Sequence, residues 1–203
     1  MKRKQLALAI AAATLMGSSS LALGHDAGDW VVRAGASVAD PKSNNNPIAD
    51  VDSGSSLTIN FAYMLTDRWS VELLAAYPFE HDIDLKGTSI KIGETKHLPP
   101  TLSLQYHLNP TGAFQPYLGA GVNYTTFFSE KAVGPLEGLD LSVKDSWGLS
   151  LEIGVDFMLN DRWLINVDAR YIEIETGAFL NGVGIGDVNI NPMVYGVHVG
   201  YTF

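Results

Sequence analysis

Apolar and polar residues alternate one by one through most of this 203-residue chain, and a period of two makes the β-strand its building unit. Residues 56–65 show it most cleanly. Leu57, Ile59, Phe61, Tyr63 and Leu65 fall on one face; Ser56, Thr58, Asn60, Ala62 and Met64 fall on the other. The same alternation runs through 101–108, through 146–159 and through 195–203. Eight segments carry it, near 29–38, 55–65, 69–79, 97–108, 115–126, 143–159, 162–175 and 188–203. Each is close to the ten residues or so that a tilted strand needs to cross a bilayer. The connections alternate in length. Those near 66–68, 109–114 and 160–162 are short and carry Asp, Asn, Gly or Pro; those near 39–54, 80–96, 127–142 and 176–187 are long and polar or Gly-rich. An even strand count with short turns at one end predicts an all-β, eight-stranded antiparallel transmembrane β-barrel, both termini at the short-turn, periplasmic end.

Alternation does not say which face is wet. A soluble barrel hides its apolar face, whereas a membrane barrel shows it to lipid. Three features choose the membrane. The polar face is rich in Gly, Ser and Thr and carries both signs of charge, which suits a narrow lumen. Trp30, Trp69, Trp163, Tyr106, Tyr124 and Phe203 stand at segment ends, as interfacial girdles do. The last segment closes on Tyr201 and Phe203 at alternate positions, which reads as an insertion signal for a barrel-assembly machinery.

The N-terminus sets the compartment. Lys2, Arg3 and Lys4 precede an apolar run from Leu6 to Gly17, and Ala22-Leu23-Gly24 has small-x-small form. This predicts a signal peptide over 1–24 and an outer-membrane β-barrel over 25–203 of a Gram-negative cell. Removing three cations takes the formal charge from −9 to −12. Nucleic acid is a poor partner for so acidic a chain; outer-membrane lipid and lipopolysaccharide are the expected surroundings. The chain has no cysteine, which excludes thiolate metal sites and disulfide scaffolds.

By parity Arg33, Glu72, His107, Glu152, Asp156, Asp168, Arg170 and His198 point into the lumen. Arg33, Glu72, Glu152, Asp156, Asp168 and Arg170 predict a charge network that fills it, because a buried charge is tolerated only when paired. A hydrolase or polar channel is the functional alternative. Pro78 on the third segment, and Pro99 and Pro100 on the fourth, reach similar heights near the outer end. Proline gives no ladder hydrogen bond, so either the strands end there or the wall has a lateral opening. No nucleophile, base and orienting group assemble from the sequence, so no catalytic residue, cofactor or metal is expected. His81-Asp82-Ile83-Asp84 could ligate a cation but sits in a polar stretch. Met64-Leu65-Thr66-Asp67-Arg68-Trp69 recurs as Met158-Leu159-Asn160-Asp161-Arg162-Trp163, two similar turns with Trp anchors.

Several stretches resemble the OmpW family of outer-membrane proteins. These are His25-Asp26-Ala27-Gly28-Asp29-Trp30, Val71-Glu72-Leu73-Leu74-Ala75-Ala76 followed by Pro78-Phe79, His97-Leu98-Pro99-Pro100-Thr101, Pro116 through Phe128, and Lys144-Asp145-Ser146-Trp147-Gly148. The resemblance implies a narrow, largely apolar channel open to the outside, with passive uptake of small hydrophobic molecules and their lateral release into the membrane. It also implies channel-lining positions at Leu74 and Arg170, the last an arginine where relatives can carry an apolar residue; Ala76, beside Leu74, is expected to line the same solute path. A structural or adhesive barrel with a filled lumen is the competing reading, and a membrane-embedded enzyme a third.

Overall fold

The structure, a computed structural model, describes residues 24–42 and 45–203. The signal peptide expected over 1–24 lies, apart from Gly24, outside the described residues. Among the described residues fourteen strands follow one another: β1 Trp30–Asp40, β2 Ala49–Val51, β3 Gly54–Met64, β4 Trp69–Ala76, β5 Phe79–Leu85, β6 Lys91–Leu98, β7 Thr101–His107, β8 Phe114–Ala132, β9 Leu141–Val143, β10 Ser146–Met158, β11 Trp163–Ile172, β12 Glu175–Leu180, β13 Val183–Asn189 and β14 Met193–Thr202. Eight of them, in the order β10-β11-β14-β1-β3-β4-β7-β8, pair antiparallel, and β8 returns to β10 to close the barrel. Closure leaves no edge with unpaired backbone groups, the condition for a sheet in lipid.

The polarity of this barrel is inverted relative to a water-soluble one. Among the described residues, buried polar side chains outnumber buried apolar ones about two to one. Trp147 is 74 % exposed and Leu57 69 %, while Arg33 is wholly buried. In water such an apolar exterior would drive aggregation; in hydrocarbon it is the stable arrangement. Aromatic pairs mark both edges of the belt. Trp30–Tyr63, Trp69–Tyr106 and Trp163–Tyr201 have ring centroids 5.0, 4.8 and 4.9 Å apart at the short-turn end. Tyr124–Trp147, at 4.8 Å, stands at the other end.

The repeated hexapeptide makes the same turn twice. Leu65 N donates to Trp69 O at 2.7 Å, and Leu159 N to Trp163 O at 2.8 Å. Thr66 Oγ1 accepts from the Arg68 and Trp69 amides; Asn160 Oδ1 accepts from the Arg162 and Trp163 amides. Thr and Asn fill one role because each holds an acceptor that reaches its own backbone two and three residues on.

The outer connections are not the polar loops that composition suggests. They carry the wall upward. β5 pairs with β2 and β6, β6 pairs with the outer end of β8, and β12 pairs with β13 and β9. Here the polarity turns over. Ile83, Ile92, Leu141, Val143, Ala178 and Val188 line the inside, and Glu80 and Asp82 are exposed. Ion pairs lie on this upper region's outer side, with Lys86–Asp50 at 2.8 Å, Lys91–Asp82 at 2.8 Å, and Lys96 against Glu80.

Candidate channel and lateral seam

The upper barrel encloses a cavity of about 280 Å³, lined almost wholly by carbon. Ile48 and Val51 come from the first outer connection, Ile83 and Ile92 from β5 and β6, Leu136, Leu141 and Val143 from the third, and Ala178, Leu180, Ile185, Val188 and Ile190 from the fourth. Its floor is a packed apolar cluster of Ala39, Phe79, Phe127, Ile172, Ile174, Ile190 and Val194, with Ala76 against it. A gap of only about 10 Å³ lies at this throat, bounded by Leu74, Phe79, Pro99, Ile172, Ile174 and Val194 among others.

One inward step below the throat the lumen becomes ionic. Arg33 grips Asp156 with two bonds, Nε to Oδ1 at 3.0 Å and Nη2 to Oδ2 at 2.6 Å, and donates from Nη1 to Glu72 Oε2 at 3.1 Å. Arg170 Nη2 reaches Glu72 Oε1 at 2.7 Å and Glu152 Oε1 at 2.9 Å. Glu72 is therefore bridged between two guanidinium groups. Gln105 Nε2 donates to Glu152, and Asn166 Nδ2 to Asp156 at 2.8 Å and to the Tyr117 hydroxyl at 2.9 Å. His198 Nδ1 sits 3.2 Å from Asp168 Oδ2, and His107 Nε2 3.1 Å from Ser70 Oγ. All of the lumen ionisable residues that parity selects are buried. Glu72, Glu152 and Asp156 each meet a guanidinium within hydrogen-bond distance, which makes their burial tolerable, whereas Asp168 Oδ2 has no hydrogen-bond partner. His25, ahead of the first strand, joins them with Nε2 3.2 Å from Asp156 Oδ2. Alternation could not place it, since it precedes every strand.

Arg170 belongs to this network. The side chain that shares the throat with Leu74 is Ile172, one inward position above Arg170 on β11. The throat is therefore mainly apolar, with Thr58 and His97 as its polar members.

The prolines interrupt the wall rather than end it. Pairing of β4 with β7 runs from Trp69↔Tyr106 to Leu74↔Thr101 and stops; β5–β6 pairing begins at Phe79↔His97. Ala75, Ala76, Tyr77 and Pro78 lie on one side of the interval, Leu98, Pro99 and Pro100 on the other. Pro99 and Pro100 have no N–H to offer across it. The flanks are secured away from this line. Tyr124 N donates to Pro100 O at 3.0 Å, and Asn123 Nδ2 to Pro99 O at 3.1 Å and Pro100 O at 3.2 Å. Tyr77 N donates to Leu57 O at 2.8 Å. Leu74 and Pro99 border the throat from inside, and Tyr77 and Pro100 are exposed on the outside.

A model of the OmpW family matches residues 26–203. The chain is 41 % identical over 220 residues to outer membrane protein W of Vibrio cholerae serotype O1, with all of both chains covered. It superposes on the crystal structure of OprG from Pseudomonas aeruginosa with a TM-score of 0.79 and 39 % identity, covering 90 % of this chain and 99 % of that one. It is 28 % identical, over 76 % of its length and 74 % of the relative's, to the dibenzothiophene metabolism operon protein PahQ of Pseudomonas aeruginosa.

Proposed function

The chain belongs to the OmpW family and resides in the outer membrane of a Gram-negative cell, and from that premise we propose that it is a passive channel for small hydrophobic molecules with a sideways exit into the bilayer. The observation that carries this reading is the change of polarity along the lumen. An apolar solute gains about 25 cal/mol for each Å² of surface that it removes from water, and the upper cavity offers that burial. Going straight down, it would have to part the Arg33–Asp156 and Arg170–Glu72 pairs, which are stable only while paired. Going sideways, it passes Leu74 and Ala76 and crosses the line between Pro78 and Pro99–Pro100, where few hydrogen bonds stand to be broken. The far side is hydrocarbon, as apolar as the cavity. The relative named for dibenzothiophene metabolism is in keeping with an apolar cargo.

The closed throat favours a second reading, a structural or adhesive barrel that conducts nothing. Replacing Pro99 and Pro100 with valine separates the two. Valine supplies the missing donors and suits a strand. In vesicles with lipopolysaccharide in the outer leaflet, uptake of a small apolar dye should fall toward the protein-free rate while the barrel stays folded. Unchanged uptake in the folded double variant would return the weight to the structural reading.

A further inference from the structure

A cavity that took only hydrocarbon would need no polar lining, yet five polar side chains border this one, and three of them hold a buried polar atom without a partner. His81, Thr95 and His97 line the apolar extracellular cavity and are only 3, 5 and 2 % exposed. The two imidazoles stack with ring centroids 4.9 Å apart and 18° between their planes, and Phe79 and Phe127 pack on His97 at 5.4 and 5.7 Å. His81 Nε2, Thr95 Oγ1 and His97 Nδ1 are buried with no hydrogen-bond partner. An unsatisfied buried polar atom is costly, and three that line one cavity point to a function.

The chemistry of the cluster can be read from its contacts. His81 Nδ1 lies 2.6 Å from the carbonyl oxygen of Asp52. A carbonyl only accepts, so Nδ1 carries the proton. Burial lowers the basicity of His81 and keeps the ring neutral, which leaves Nε2 as a bare acceptor. The Thr95 hydroxyl can donate or accept. Gly54 makes room for the ring: a Cβ there would stand 2.8 Å from His81 Cε1 and 2.6 Å from Glu80 O.

We infer that this cluster selects solutes with a hydroxyl head on an apolar body, such as alkylphenols and alcohols, with His81 Nε2 accepting the head's O–H and Thr95 completing the contact. An anionic head would bring an unpaired charge into a carbon-lined space. This inference rests on the channel reading above and adds the chemical class of the cargo.

The test uses the purified barrel in phospholipid nanodiscs and two probes of matched size, para-hexylphenol and hexylbenzene. The nitrogen NMR signal of His81 Nε2 should move on addition of para-hexylphenol and stay in place with hexylbenzene. The phenol should bind about tenfold more tightly, the worth of one good hydrogen bond. His81→Phe and Thr95→Val, both close in volume to the originals, should each narrow that preference while hexylbenzene binds as before. Equal binding of the two probes, with the His81 signal unmoved, overturns the inference and leaves the channel reading standing. Failure of both probes to perturb any cavity residue overturns both. Should His81→Phe fail to fold, the wild-type nitrogen signal and Thr95→Val decide alone.

Discussion

Arg33→Ala removes the cation that holds Asp156 with two bonds and Glu72 with a third. Removing one partner of a buried ion pair costs about 3–5 kcal/mol, because the other charge is left behind. The lower figure applies here. Asp156 keeps His25 at 3.2 Å and Asn166 at 2.8 Å, and Glu72 keeps Arg170 at 2.7 Å. A loss of about 3 kcal/mol is a roughly hundred-fold fall in the ratio of folded to unfolded protein. With a urea slope of about 2 kcal/mol/M, the midpoint drops by about 1.5 M. The assay is urea unfolding in lipid vesicles, read by the mobility difference between folded and heat-unfolded barrel on a gel. A paired variant isolates the charge effect. Arg33→Met with Asp156→Asn removes the Asp156 charge together with its cation, leaves Glu72 to Arg170, and should be less destabilised than the two single changes added together. A wild-type midpoint for Arg33→Ala would mean that the site is wet. Strict additivity in the double variant would mean that the two residues do not act as a pair. Either result refutes a dry, paired plug.

Two further outcomes follow from other parts of the barrel. Deleting Phe203, which packs on Tyr201 at 4.7 Å and whose amide donates to Trp30 O at 2.9 Å, should lower the folded yield in cells while the folded fraction takes up solute at the normal rate; a full yield would remove its role as an assembly signal. Burial and the neighbouring His81 push His97 from 6.5 down to about 3, so the opened hairpin binds a proton below about pH 6.5 that the folded one refuses until about pH 3. Its stabilisation is complete above 6.5 and declines as pH falls, by about 1.4 kcal/mol per pH unit for the one proton. Protection of β5 and β6 amides against hydrogen exchange, corrected for intrinsic rate, should fall in that window, and flat protection from pH 7 to 4 would show a solvated ring.

The membrane-spanning wall was legible because its alternation is long. Ten or so residues of strict period two, as in Leu57 through Leu65, leave one phase for the strand. That phase then assigns each ionisable residue a side, and it put Arg33, Glu72, Glu152, Asp156, Asp168 and Arg170 inside together. The upper barrel was not legible for the converse reason. Its lining is shared among four connections, each adding a few apolar residues, such as Ile48 and Val51, between charges and glycines. No local window shows a face there, since the face exists only after the barrel closes. The throat shows the same limit on a smaller scale. Parity gives Arg170 and Ile172 the same side of β11, and only the height of the network below Leu74 tells which of them faces it. The prolines could be located but not interpreted, because a strand end and an interrupted wall read alike until β5 and β6 are seen to continue above them.

In the proposed route, solute leaves through the line between Ala75–Pro78 and Leu98–Pro100. The chain has no cysteine, so a pair introduced as Tyr77→Cys and Leu98→Cys, on opposite sides of that line, can bridge it with every proline left in place. Uptake of an apolar dye is then measured on one preparation, first oxidised and then reduced. Uptake should drop to the protein-free rate while the bridge is closed and return on reduction, with neither single variant responding to the reductant. A folded, fully bridged barrel that admits the dye as fast as its reduced form would rule out the lateral exit, since the solute would then be leaving by another route.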